Sequence, residues 1–162
     1  MTTYKHLGFE VRDQVATLTL NNPSARNALS ADMRLEMEDA MTRIRKDDQV
    51  RAVILTGAEG HFCAGGDIRN MSTSPRDAAT WRQGMSRLHD NLMPLMTLDR
   101  PLIAAVDGVA YGAGFSFALM ADFARPRRAR VFACRSCALA WCPTAQPFTP
   151  CHASWACNAP KS

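Results

Sequence analysis

The sequence predicts an α/β domain built in layers, and three observations carry that expectation. Short apolar runs alternate with stretches of helical periodicity in the order strand, strand, helix, strand, helix, strand, helix. Two of the strands run into glycine-rich turns. The 162 residues, 47% hydrophobic and 21% charged, suffice for one ordinary globular core. No run is long and apolar enough to span a bilayer, and Met1, Thr2, Thr3, Tyr4, Lys5 and His6 form no apolar leader, so a cytoplasmic protein with no membrane partner is expected.

Leu7–Arg12 and Val15–Leu20 alternate polar and apolar residues around Asp13 and Gln14, as two short strands joined by a turn would. Asn21, Asn22 and Pro23 stop the second strand, and a loop follows through Leu29. Ser30 is a good N-cap and Asp32 is well placed near a helix's positive end. Met33, Met37, Ala40, Met41 and Ile44 then recur at helical spacing over 31–46, with Arg34, Glu38 and Arg45 on the other face. The run 52–56 is apolar without alternation, which predicts a strand covered on both faces. Pro75 suits the start of a second helix over 76–96, whose inner face would carry Trp81, Met85, Leu88, Leu92 and Met96 and which Pro94 should end or kink. Residues 102–106 read as a strand and 112–120 as an apolar helix ended by Asp122.

The chemistry is expected at the two glycine turns. The first is His61, Phe62, Cys63, Ala64, Gly65, Gly66, Asp67 and Ile68; the second runs from Val106 and Asp107 through Gly108 to Gly112, Ala113 and Gly114. Glycine lets backbone N–H groups approach a ligand with no side chain in the way, and the tenant such groups favour is an anion. If the two turns converge, they supply a pair of backbone donors, an oxyanion hole.

These residues resemble the enoyl-CoA hydratase/isomerase, or crotonase, superfamily. The matching pieces are Asn21, Asn22, Pro23 with Arg26, Asn27, Ala28, Leu29; then Leu55, Thr56, Gly57; then Phe62 to Ile68; then Arg100, Pro101, Leu102 to Ala110; and Gly112, Ala113, Gly114 through Ala121, Asp122. They occur in family order. The resemblance implies a crotonase-like β/α spiral core over 1–123, truncated relative to the family. It implies that a thioester carbonyl of coenzyme A sits on the backbone N–H groups of Gly66 and Ala113, where an enolate oxygen would be stabilised without reorganisation. It assigns Arg26, Ala28, Ala64, Gly65, Gly66, Asp67 and Ile68 to the nucleotide and pantetheine parts of the substrate, with Ala113 and Ser116 at its reacting end. No cofactor and no metal are implied beyond the acyl-CoA substrate, and fatty acid metabolism is the implied setting.

Simpler roles stand beside these. A glycine turn between strand and helix is common as a tight turn. Arg26 taken singly is a surface residue, Asp67 can cap the following segment, and Cys63 reads as a small buried filler because no histidine partner accompanies it. His61 and His89 have no assigned role.

Two departures from the family pattern matter. Its hydratases carry a glutamate near the start of the helix after the second turn, and Ser116 stands here, a neutral hydroxyl unable to act as a general base near pH 7 without activation. A two-carboxylate hydration is thus disfavoured, and isomerase-type enolate chemistry with impaired turnover is expected. The family's later segment, with its second acid/base and the helices that assemble trimers and hexamers, is not recognisable after Phe123. A non-catalytic acyl-CoA-binding or subunit-interaction protein is the competing class.

Residues 124–162 read as a basic, poorly ordered tail. Arg125, Arg127, Arg128, Arg130, Arg135 and Lys161 follow Asp122 with no acidic residue among them, so the positive excess behind the net +4 lies in the tail while the body is near neutral. Without a folded platform and interleaved aromatics, no nucleic-acid partner is expected. Five of the six cysteines lie in the tail. Cys134 and Cys137 with Cys142, Cys151, His152 and Cys157 allow a zinc module, though at spacings no standard module uses. Read one nucleotide upstream, the codons allowed for 129–132, 141–144 and 151–162 permit SARF, LVPD and LPRIVGMQRAKE, the family's next motifs in order. An out-of-frame translation beginning near Ala124 is therefore expected.

Overall fold

The computed structural model describes residues 4–67, 77–79, 82, 86 and 93–133, the side chains of 127–133 excepted. Strands β1 (Leu7–Arg12) and β2 (Val15–Leu20) form an antiparallel hairpin in which Arg12 faces Val15. The two-residue loop between them places Asp13 and Gln14 at φ 49° and 65°, the paired left-handed conformation that matches the twist of a tight hairpin.

Helix α1 (Ala31–Lys46) crosses from β2 to β3 (Ala52–Gly57), which lies parallel to β2. The Ser30 side chain accepts from the Met33 amide at 3.2 Å, so the expected cap is made. The five residues expected on the inner face, Met33, Met37, Ala40, Met41 and Ile44, are the buried ones. At the other end of α1, one nitrogen of the Arg100 guanidinium donates to the carbonyls of Ile44, Asp47 and Val50 at 2.9, 2.9 and 2.8 Å. These acceptors include the orphan carbonyls that a helix end leaves behind.

Strand β4 (Leu102–Tyr111) pairs parallel with β3, helix α2 (Ala113–Met120) follows it directly, and β5 (Phe123–Ala133) pairs parallel with β4. The sheet order is β1-β2-β3-β4-β5. Asp122, between α2 and β5, accepts from the Leu102 amide at 2.8 Å and so ties the end of the helix to the start of β4. The core lies between the sheet and its helices: Leu18, Leu20, Val53, Leu55, Ala104 and Val106 form one buried cluster with the inner face of α1, and Phe62 and Phe117 are among the largest fully buried side chains.

Several sequence expectations need correction. β3 is not covered equally on both faces: Val53 and Leu55 are fully buried, whereas Ala52, Ile54 and Thr56 are half-buried, because the helices pack one face more completely. β4 does not stop before its glycine. It continues through Gly108 at φ 65°, with irregular register at Val106/Asp107 and Gly108/Val109, as a bulged strand does.

Of the second predicted helix, residues 78, 79, 82, 86 and 93–96 are helical, and Trp81, Met85, Leu88 and Leu92 lie outside the described residues. Pro94 lies within the helical 93–96, and the Thr97 amide donates to the Met93 carbonyl at 2.9 Å; residues 87–92, on which the expected end or kink bears, lie outside the described residues. Leu95, not Met96, faces the core here, Met96 being 47% exposed. The expected boundary at 123/124 falls inside β5, where backbone pairing with β4 continues to Ala133. Residues 134–162, with the tail cysteines, lie outside the described residues.

Candidate functional site at the ends of the parallel strands

The first glycine turn starts where β3 ends, and the second site segment starts where β4 ends. Both lie at the carboxyl ends of parallel strands, the side on which open α/β sheets place their ligands. A short 3-10 turn, Ala58–Gly60, carries the chain from β3 into the first of them. The turn is then fastened to β4: the Cys63 amide donates to the Val109 carbonyl and the Tyr111 amide to the Cys63 carbonyl, both at 2.9 Å.

On its other side the turn is fastened to the loop after β2. The Ala64 amide donates to the Arg26 carbonyl at 3.0 Å, the Leu29 amide to the Gly65 carbonyl at 2.8 Å and the Asp67 amide to the Leu29 carbonyl at 3.4 Å. This is a parallel bridge between Leu29 and Gly66. Because the carbonyl of Gly65 and the amide of Asp67 face Leu29, the Gly66 peptide groups between them face the opposite way. The Gly65 amide is occupied too, lying 3.4 Å from Cys63 Sγ. Gly66 itself is exposed.

The two glycine turns do meet. A Cβ added to Gly65, which sits at φ 94°, would lie 2.7 Å from the Tyr111 carbonyl oxygen and 3.5 Å from the Ala113 nitrogen. No side chain fits between the first turn and the start of α2 at that point. Gly114 has the same character one step further on: its added Cβ would collide with the Cys63 carbonyl. Ala113 is the first residue of α2, and first-turn amides of a helix have no carbonyl of their own helix to bond. Gly112 caps that helix at φ 51° with no side-chain hydrogen bond.

The expected site residues are mostly brought together at this end of the sheet. Arg26 is exposed and left-handed at φ 50°, Ala28 and Gly65 are buried, and Ala64 and Asp67 are half-buried. Ser116 lies in the first turn of α2, 8% exposed, its hydroxyl 3.4 Å from the Gly112 carbonyl. Ile68 lies outside the described residues. Cys63 is fully buried, and burial pushes its thiol up to about 12, so at neutral pH it is a packed neutral group and not a nucleophile.

Asn27 is a residue that motif reading named but gave no role. Its side chain is fully buried and bonded at both ends. An asparagine four residues after the strand-stopping Asn22-Pro23 pair was the available signal. His61 has its Nδ1 buried with no hydrogen-bond partner among the described residues.

Comparison with known proteins gives this geometry its family. Residues 10–146 match the family model of enoyl-CoA hydratase/isomerase, and the chain belongs to that family. A probable enoyl-CoA hydratase of Mycobacterium tuberculosis is 38% identical over 122 residues, which cover 75% of this chain and 47% of that protein. The 1,2-epoxyphenylacetyl-CoA isomerase of Escherichia coli is 37% identical over 125 residues, with 75% and 47% covered. The crystal structure of an enoyl-CoA hydratase/isomerase from Xanthobacter autotrophicus superposes with a TM-score of 0.73 at 33% identity, covering 76% of this chain and 46% of that one. The fold is thus of crotonase type, and the chain spans about half the length of the relatives it matches.

Proposed function

We propose that the protein binds an enoyl-type acyl-CoA thioester at the carboxyl ends of β3 and β4. The Gly66 and Ala113 amides hold the thioester oxygen, and they would stabilise the negative charge that develops there when the thioester enolises. The observation that carries the reading is the approach of Gly65 to the Ala113 nitrogen, which brings a turned-away Gly66 amide and an uncapped helix start to one place. The partial positive charge at the start of α2 adds to the same spot. Arg26 serves the phosphates, while Ala28, Ala64, Gly65 and Asp67 line the rest of the substrate and Ile68 continues that strip.

Ser116 occupies the place where a hydration mechanism needs a carboxylate, so the reading favours double-bond isomerisation over hydration, with slow turnover. A cytoplasmic role in fatty acid metabolism belongs to the same proposal. The tail is assigned to an out-of-frame translation. Sequencing the coding DNA decides that point: absence of the three motifs from the upstream frame removes it.

The binding claim is tested with an aryl-conjugated enoyl-CoA, whose absorption moves to the red when its carbonyl accepts hydrogen bonds. The wild-type protein should shift the probe on binding and convert it only slowly. Ala113→Pro deletes one donor at a helix position that tolerates proline. It should lose most of the shift and bind the thioester about tenfold more weakly, a difference of roughly 1.4 kcal/mol. A wild-type protein that leaves the probe spectrum unchanged overturns the reading, and rapid conversion overturns the claim of slow turnover.

A further inference from the structure

We propose that Asn27 is the positioning residue of this site, fixing where the Gly66 amide points by bolting the loop after β2 to the turn before the first glycines. The proposal rests on the thioester reading above for its functional consequence. The Asn27 carboxamide is 0% exposed. Its Oδ1 accepts from the Asn22 amide at 2.9 Å, while Nδ2 donates to the carbonyls of Ala58 at 2.9 Å and His61 at 2.6 Å. Two carbonyl oxygens at one end and an N–H at the other permit only one orientation of the amide, and both Nδ2 hydrogens are used.

Placement in the chain gives those bonds their effect. Ala58 and His61 bracket the short turn that delivers the chain to Phe62. Arg26, directly before Asn27, and Leu29, two residues after it, make the three backbone bonds to Ala64, Gly65 and Asp67. One buried side chain therefore sets the start of the first glycine turn, while its own loop sets the end that contains Gly66. Gly66 has exposed backbone and no side chain, so the Gly66 amide takes its direction from these flanking anchors. Asparagine suits the task twice over: it tolerates the left-handed backbone found at φ 58°, and its short amide both donates and accepts.

Three variants separate the side chain from the backbone. Asn27→Gly keeps the left-handed conformation at no steric cost and deletes the carboxamide. Asn27→Asp keeps the shape but sets a carboxylate against two carbonyl oxygens. Asn27→Ser can donate to one carbonyl and should fall between wild type and Asn27→Gly. The first readout is residue-resolved amide hydrogen exchange without ligand. The Ala64 and Asp67 amides, and the Leu29 amide that donates to Gly65, should exchange about tenfold faster in Asn27→Gly, while the Ala104 and Val106 amides in β4 keep their wild-type rates. The second is the red shift of the aryl-conjugated enoyl-CoA at saturation and well below the melting temperature, which should shrink by about half or more in Asn27→Gly and Asn27→Asp.

A merely structural Asn27 would lower the melting temperature and leave the saturated shift intact, and that result overturns the proposal. So does unchanged exchange at the Leu29, Ala64 and Asp67 amides in whichever of the three variants folds. A wild-type protein that fails to shift the probe removes the thioester reading, and the exchange measurement then decides the positioning role by itself.

Discussion

Gly114→Ala should destabilise the protein by about 3 kcal/mol, lowering its melting temperature by on the order of 10 °C, and Gly114→Val should yield no folded protein. Gly114 is in the first turn of α2, where ordinary helical propensity would favour alanine by roughly 1 kcal/mol. The contact with the first turn reverses that sign. A methyl here would stand 2.6 Å from the Cys63 Cβ and 2.9 Å from its carbonyl carbon, besides colliding with its oxygen. Cys63 cannot retreat, because its amide and carbonyl are both bonded to β4. Either the helix moves off or the bridge to β4 breaks. Gly60→Ala is the control: Gly60 has φ 71° but open space around its added Cβ, so it should cost only about 1 kcal/mol of backbone strain. Melting followed by circular dichroism distinguishes them, and a Gly114→Ala protein as stable as Gly60→Ala would show that α2 does not bear on Cys63.

That contrast also shows how much could be seen in the sequence. Period-two and helical patterns located β1, β2 and α1 to the residue; β2 and α1 each have one buried face that their residue pattern reports directly, whereas β1 buries only Leu7 and is placed by its pairing with β2. The two glycine turns announced a close approach of bare backbone. Which of their glycines are sterically compulsory was not visible, because Gly60 and Gly114 look alike as letters and differ only in what lies across from them. β4 was read short because Gly108 suggested a turn. In the fold its positive φ bulges the strand where a side chain would strike the Gly60 carbonyl, and the strand goes on.

Asn27, Arg100 and Asp122 were legible as family letters but not as structural actors. Each bonds groups far away in the chain, and no local periodicity encodes such a partner. The candidate site follows the same division. Its glycines and Ser116 were named from type and order, whereas the direction of the Gly66 peptide depends on a bridge to Leu29 that only the folded chain reveals.

Arg100→Met should lower the melting temperature by several degrees, more than loss of any solvent-facing ion pair would, and Arg100→Lys should recover about half of the loss. The reason is the company Arg100 keeps. Its Nη1 has two hydrogens for three carbonyls, those of Ile44, Asp47 and Val50, so at least one hydrogen is shared. Nε and Nη2 engage the Asp99 carboxylate at 2.8 and 3.3 Å. Methionine fills the space and removes the side-chain donor from all three carbonyls; those of Ile44 and Asp47 keep the Asp47 and Val50 amides as backbone partners, while that of Val50 loses its 2.8 Å bond. Lysine restores a charge and up to three N–H groups but not the planar fork that addresses Asp99 and the carbonyls together.

A pH series separates the two halves of this arrangement. Hydrogen bonding to Arg100 holds the Asp99 carboxyl below its ordinary value, so its part of the stabilisation is present above the ordinary carboxylate range and is lost as pH falls through the lowered value. The guanidinium keeps its proton throughout, its own pKa being raised chiefly by the hydrogen bond to Asp99, and its carbonyl bonds persist in acid. The gap in melting temperature between wild type and Arg100→Met should therefore narrow only slightly in acid. If it closed completely, the exposed ion pair rather than the helix end would be the source of the effect.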